Sequence, residues 1–170
     1  MSADAIPPTE RGLSADANAP REKVLVSACL LGAYCRFDAR TNADAALERE
    51  LAERGLDPVP FCPEEHGGLG TPRPPATIER DGAAEVLDGK ARVLTDAGVD
   101  VTAGFVKGAE GALATCKLHE IRRAFLKARS PSCGVHQTEV DGKLVPGRGV
   151  TSELLARHGI ELTSVEGRRP

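Results

Sequence analysis

The spacing of apolar and polar positions changes several times along the chain. Residues 23–28, KVLVSA, form a short apolar run that predicts a buried strand, and the run leads directly into Cys29. The following stretch, LLGAYCRFDART, has no period and turns around Gly32. From about residue 43 to 54 the period becomes helical: Leu47 and Leu51 share a face, Asn42 is placed to cap the start, and Gly55 is placed to stop it. Leu56 to Phe61 then make a second short strand that ends at Cys62. Pro58 and Pro60 lack the N–H that a strand ladder uses, so the pairing of this strand is expected to be partial.

Residues 63–82 are rich in Pro and Gly and read as a loop. AEVLDGKARVL, residues 84–94, reads as a hairpin, because Asp88-Gly89 is a favoured two-residue turn between β-prone runs. Phe105, Ala109, Ala112, Leu113 and Cys116 keep helical spacing and predict a helix over about 102–119. Residues 122–128, RRAFLKA, form a third strand that runs into RSPSCG. A second hairpin is expected from Thr138 to Val145 around Asp141-Gly142. Thr151 is placed to cap a helix that ends near His158 and Gly159, and Ile160 to Val165 make a closing strand. The alternation of strands and helices predicts a three-layer α/β domain with a mainly parallel sheet and one or two β-hairpins.

Composition narrows the class. Residues 1–21 are rich in Ala, Pro, Asp and Ser without a period, which predicts a disordered tail ahead of a single domain over 22–170. The first residues lack the charged start and apolar stretch of a secretory signal, and no apolar run approaches the roughly 20 residues that cross a bilayer. A cytoplasmic protein is therefore expected. Aromatic residues are only 3% of the chain and the net charge is -3, which argues against stacking on single-stranded nucleic acid and against binding a phosphate backbone. In a reducing compartment the five cysteines are not a disulfide framework.

Three of those cysteines share a placement. VLVSAC delivers Cys29, VPFC delivers Cys62, and AFLKARSPSC delivers Cys133, each just beyond a predicted parallel strand. Parallel strands end on one side of a sheet, where α/β folds bind their ligands. Three thiolates gathered there repel one another unless a soft cation holds them. A structural zinc site usually has four protein ligands and paired C-x-x-C spacing, which this chain lacks. Three widely separated cysteines better suit a [4Fe-4S] cluster with one iron free of protein, able to act as a Lewis acid. Cys116 lies on the apolar face of a predicted helix and reads as core. Cys35 is open between a fourth ligand and a loop thiol.

The longer motifs carry a resemblance. SACLLG (27–32), CRFD (35–38), CPE followed by GGL and TPRPPA (62–76), LDGKARV (87–93), SPSCG (130–134) and GKLVPGRGVT (142–151) resemble the 2-thiouracil desulfurase family over roughly residues 23–163. The resemblance implies a Rossmann-like domain that holds an oxygen-sensitive [4Fe-4S] cluster on the matching positions Cys29, Cys62 and Cys133. It implies a thiolated pyrimidine or related small molecule as substrate: the open iron captures a thiocarbonyl sulfur, water supplies the replacing oxygen, and sulfide is released. The chain departs from the family pattern at Glu65-His66, at Leu69-Gly70-Thr71, at Asp38-Ala39 and in a shorter segment between Gly134 and Gly142. These departures bear on substrate choice more than on cluster binding.

Within that reading Glu64, two residues past Cys62, is the candidate to take a proton from water. Ser130 and Ser132 flank Pro131 beside Cys133 and are candidates to bind a pyrimidine oxygen or the cluster sulfides, with Ser27 in the same part near Cys29. Arg36, Asp38 and Arg73 are loop charges near the same sheet edge that could shape the pocket or pair with one another. His66 and His136 lie near the proposed site, whereas His119 and His158 sit at helix C-termini, where the dipole favours them. Two rivals stand beside this reading. A metal-free cysteine-nucleophile enzyme of the phosphatase type needs C-x5-R; Arg36 falls one position too late after Cys29, and Cys116 and Arg122 have the spacing but no glycine between them and start inside a predicted helix. A non-catalytic binding module with a structural metal needs Cys35 or His66 to close the site.

Overall fold

The computed structural model describes residues 19–170, so residues 1–18 of the expected tail lie outside the described residues. In the first sheet the strands are β1 (Glu22–Ser27), β2 (Leu56–Phe61), β5 (Arg123–Lys127) and β8 (Glu161–Val165). They lie side by side in the order β2-β1-β5-β8, and every neighbouring pair is parallel. Helix α1 (Ala45–Glu53) covers one face of this sheet, and α4 (Thr102–Leu118) and α5 (Val150–Arg157) cover the other. The two-residue period of the strands decides which side chain meets which layer. Val24 and Val26 pack with Leu47 and Leu51 of α1, whereas Leu25 between them packs with Ala112 and Cys116 of α4. Phe125 joins the α1 side, and its neighbours Ala124 and Leu126 join the α4 side. This is the three-layer α/β arrangement expected from the alternation of elements.

A second, mixed sheet has the order β4-β3-β6-β7, built from β3 (Ala76–Ile78), β4 (Val93–Thr95), β6 (Gln137–Val140) and β7 (Lys143–Pro146). The hairpin around Asp141-Gly142 forms as predicted, with both turn residues at positive φ (49° and 73°), which matches a strand-closing type I′ turn. Helix α4 serves both sheets. Its first half supplies Phe105 and Ala109 to a core with Ile78, Val93 and Val150, and its second half supplies Ala112 and Cys116 to the first sheet. Cys116 is thus core, as its helical spacing predicted.

Four expectations are corrected. The segment AEVLDGKARVL is not a hairpin: Ala83–Leu87 form a short helix, α3, that buries Ala83 and Val86 at helical spacing, and only Val93–Thr95 remain as strand. Asp88-Gly89 closes α3, and β4 pairs instead with Ala76–Ile78 from the stretch read as loop. That loop also holds α2 (Pro63–His66), a single turn too short to show a period. Asp44, not Asn42, caps α1, its carboxylate accepting from the Leu47 N–H at 2.9 Å. Thr151 lies inside α5, whose first N–H groups are taken by the carbonyls of Pro131 and Ser132. The two prolines of β2 sit on the edge of the first sheet, where the strand pairs along six positions with β1 and, among the described residues, with no strand on its other side.

Candidate metal centre

The three strands that carry the motif cysteines, β2, β1 and β5, are adjacent. Beyond β1 the chain makes a 3-10 turn, Ala28–Leu31, that buries Cys29. Beyond β2, Cys62 stands at the N-cap of α2. Beyond β5, the turn of residues 128–134 carries Cys133. All three side chains line one cavity of about 280 Å³ at the carboxyl edge of the sheet, and Cys35 lines it with them. Such a volume is near the lower end of small-molecule pockets and far exceeds what one ion enclosed by its own ligands requires.

Each loop is held by specific bonds. Ser130 Oγ accepts from the N–H groups of Ser132 (3.1 Å) and Cys133 (3.0 Å), which closes the SPSC turn. Ser152 Oγ donates to the Cys133 carbonyl at 2.7 Å, so the start of α5 grips the loop from behind. Pro63, next to Cys62, is seated on α4: a Cβ at Gly108 would overlap the Pro63 carbonyl, so the absence of a side chain there lets α2 approach. Arg73 donates from Nη2 to the Cys35 carbonyl at 2.8 Å and from Nε to Glu64 Oε2 at 2.6 Å.

The thiols differ in their ease of ionisation. Hydrogen bonding from Cys35 holds Cys29 down to about 7 against the opposing effect of burial, and Asn42 adds to the lowering. Cys62 is lowered as well, chiefly by its bond with Cys35. Cys35 between them is pushed up by those two partners, and burial pushes Cys133 up. Lys127 stands at the cavity wall as a half-buried cation, lowered mainly by desolvation. Two thiols disposed to be thiolates and a nearby cation are a donor set suited to a soft metal centre, whereas burial keeps Cys133 a neutral thiol unless a bound cation offsets its charge.

A family model described as 2-thiouracil desulfurase matches residues 24–167, almost the span over which the sequence motifs suggested it. The chain belongs to the 2-thiouracil desulfurase family. Among proteins of this kind, YbbK of Bacillus subtilis (strain 168), an uncharacterized protein, is 37% identical over 144 residues, covering 83% of this chain and 94% of YbbK. The solved structure of TudS, described as a [4Fe-4S]-dependent thiouracil desulfidase, is 44% identical, with a TM-score of 0.70 over 85% of this chain and 91% of that one.

In this family member the other sequence candidates fall into two groups. Ser27, Arg36, Glu64, Arg73, Ser130 and Ser132 all line the cavity with the cysteines. Of these, Ser27 Oγ also accepts from the Lys127 N–H at 3.0 Å, and the fully buried Ser132 shares a 3.1 Å bond with Thr151. Asp38 does not line the cavity: it grips Arg36 from outside with two bonds of 2.9 Å. His66 is turned away onto the Phe61 ring, centroids 5.0 Å apart, and His136 is not at the cavity wall. Of the two residues that the structural-metal rival needs to close the site, Cys35 is therefore present and His66 is not.

Several residues at the cavity escaped the sequence reading, Arg129 and Glu139 as well as Lys127 and Asn42. Lys127 looked like the end of a strand, and Asn42 looked like a helix cap. For Asn42 the usable signal was the second capping residue, Asp44, two positions on: only one of the two is needed at the helix start.

Proposed function

We propose that this chain holds a [4Fe-4S] cluster on Cys29, Cys62 and Cys133 and desulfurates a small thiocarbonyl compound of the thiolated pyrimidine class. Sulfur is exchanged for oxygen from water, and sulfide is released. The observation that carries this reading is that three strand-end cysteines from adjacent parallel strands open onto one cavity that the Glu64–Arg73 pair also lines. When bound, the cluster supplies an iron free of protein ligands, a soft Lewis acid for a thione sulfur.

The chain supplies the rest. Glu64 takes the proton of the water that adds to the thiocarbonyl carbon. Arg73 engages Oε2 and fixes the orientation of the carboxylate, and Oε1 receives the proton. The Ser130 hydroxyl already accepts from two backbone N–H groups, so its own proton is free to donate to a ring oxygen or nitrogen of the substrate. Arg36 is held by Asp38 and forms part of the pocket wall, and Ser27 and Ser132 fix the strand ends. The family departures at Glu65-His66 and Leu69-Gly70-Thr71 lie on α2 and the turn after it, outside the cavity wall, and bear on the substrate through the seating of Glu64 and of Arg73, whose Nη1 donates to the Gly70 carbonyl at 2.7 Å. Among the described residues no helix is long and apolar enough to cross a membrane, and a cytoplasmic setting suits a cluster of this kind.

The test is anaerobic purification followed by a thiobase screen. The expected protein is brown, carries about four irons per chain, and converts a thiolated pyrimidine to its oxo product with one sulfide released per turnover. Colourless protein with one zinc would favour the structural-metal module. Colourless, metal-free protein with thiol-dependent activity would favour a cysteine nucleophile.

A further inference from the structure

Asn42 stands behind the cavity thiols in a place that the reaction as described does not use. It is 4% exposed, and its Nδ2 donates to Cys29 Sγ at 3.6 Å. The orientation of its amide is decided by its other end: Oδ1 accepts from Arg36 Nη1 at 2.6 Å, which only the oxygen can do. Arg36 cannot drift, because Nε and Nη2 are both held by Asp38 at 2.9 Å. The NH₂ group is therefore forced toward the sulfur.

The backbone of Asn42 is pinned as firmly. Its N–H donates to the Cys29 carbonyl at 3.0 Å, and Thr41 Oγ1 donates to the same carbonyl at 3.0 Å. From the other side, the segment after β8 returns across it. Arg168 N–H donates to the Asn42 carbonyl at 3.1 Å, and Arg169 Nε donates to the fully buried Asp44 at 2.7 Å. Gly167 lies so close that a Cβ there would stand 3.0 Å from the Asn42 carbonyl oxygen and 3.1 Å from its Cβ, at a φ of +84°.

We propose that Asn42 is a positioning residue that sets the electron density on the Cys29 sulfur, and that the strap Gly167–Arg169 holds it in place to do so. This inference rests on the cluster reading above. An N–H donor to a coordinating thiolate withdraws charge from the metal centre, which favours the reduced, more negative state and makes the iron more electron-poor. The amide thereby raises the midpoint potential and strengthens the pull on a thione sulfur. Arg36 acquires a role distinct from substrate contact: it selects which end of the amide faces Cys29.

The test compares anaerobically loaded wild-type protein with Asn42→Ala by redox titration, with electron paramagnetic resonance of the reduced cluster as the readout. The expected variant carries the wild-type iron content, shows a midpoint shifted to more negative potential, and loses about 10-fold in kcat with little change in KM. Asn42→Leu keeps the volume without the donor and is expected to shift in the same direction, which covers a failure of the alanine variant to load. Gly167→Ala crowds Asn42 from outside the cavity and is expected to give a smaller shift of the same sign. A midpoint unmoved in variants with full iron content overturns the inference and leaves the cluster reading standing. Wild-type protein that takes up no cluster overturns both.

Discussion

Arg73 donates from Nε to Glu64 and from Nη2 to the Cys35 carbonyl, so one guanidinium holds both the proposed base and the loop of a cavity thiol. Both partners of the ion pair are largely buried, with side-chain exposures of 7% and 15%. Removing either charge leaves the other poorly solvated, which costs about 3–5 kcal/mol in fully buried pairs. Glu64→Gln is the gentler probe, because its amide oxygen can still accept from Arg73 while the group no longer accepts a proton at neutral pH. It is expected to keep the iron content and absorption spectrum of the wild type and to lower kcat/KM by about 10²–10⁴, measured by release of sulfide. Cysteine variants divide by place rather than by residue type. Cys29→Ser, Cys62→Ser and Cys133→Ser are each expected to lower bound iron, measured by iron assay after anaerobic reconstitution. Cys116→Ser, whose thiol is packed between α4 and the first sheet with its pKa raised to about 11 by burial, is expected to keep the iron and lose stability instead.

Helix α4 shows how an element far from the chemistry in sequence governs it in space. Gly108 carries no side chain where Pro63 approaches, and Pro63 directly follows Cys62. Alanine is the better helix former by about 1 kcal/mol, yet Gly108→Ala is expected to destabilise the fold by about 2 kcal/mol, because overpacking against a backbone carbonyl outweighs propensity. Thermal unfolding measures it, and cluster loading is expected to fall with it as Cys62 is displaced. The contact also marks where sequence reading stopped. The elements β1 and β5 were legible because each buries a continuous apolar run, α1 and α4 because each buries a helical stripe, β2 from its short apolar run into Cys62, and the Asp141-Gly142 turn from its chemistry. Three neighbouring strand ends with cysteines followed from those elements. The segment 84–94 was misread because Ala83, Val86 and the turn pair suit a helix with a glycine stop as well as a hairpin, and only the pairing of Val93 with Ile78 decides between them. Asn42 was taken for a cap although Asp44 offered a second one, and what holds the segment, Arg169 at 125 positions beyond Asp44, is not local.

Across the molecule, the cavity is built by structure that does not depend on what fills it. Among the described residues three buried clusters flank the two sheets, and the loops around the cysteines are closed by their own hydrogen bonds to α5, to Arg73 and to the Asn42 segment. Removal of iron by a chelator under anaerobic conditions is therefore expected to leave far-ultraviolet circular dichroism and a cooperative unfolding transition in place, with a lower midpoint because a ligand of the folded state is lost. A zinc finger, by contrast, unfolds without its metal. The prolines of β2 have a consequence at this scale too. Since Pro58 and Pro60 have no N–H to give, the bonds toward β1 must come from the residues between them, and the outward rim of the strand is left without donors at alternate positions. A further strand, from another copy or from an unfolded neighbour, finds acceptors without donors at those positions, so the rim nearest Cys62 disfavours the edge-to-edge pairing by which exposed strands seed aggregates.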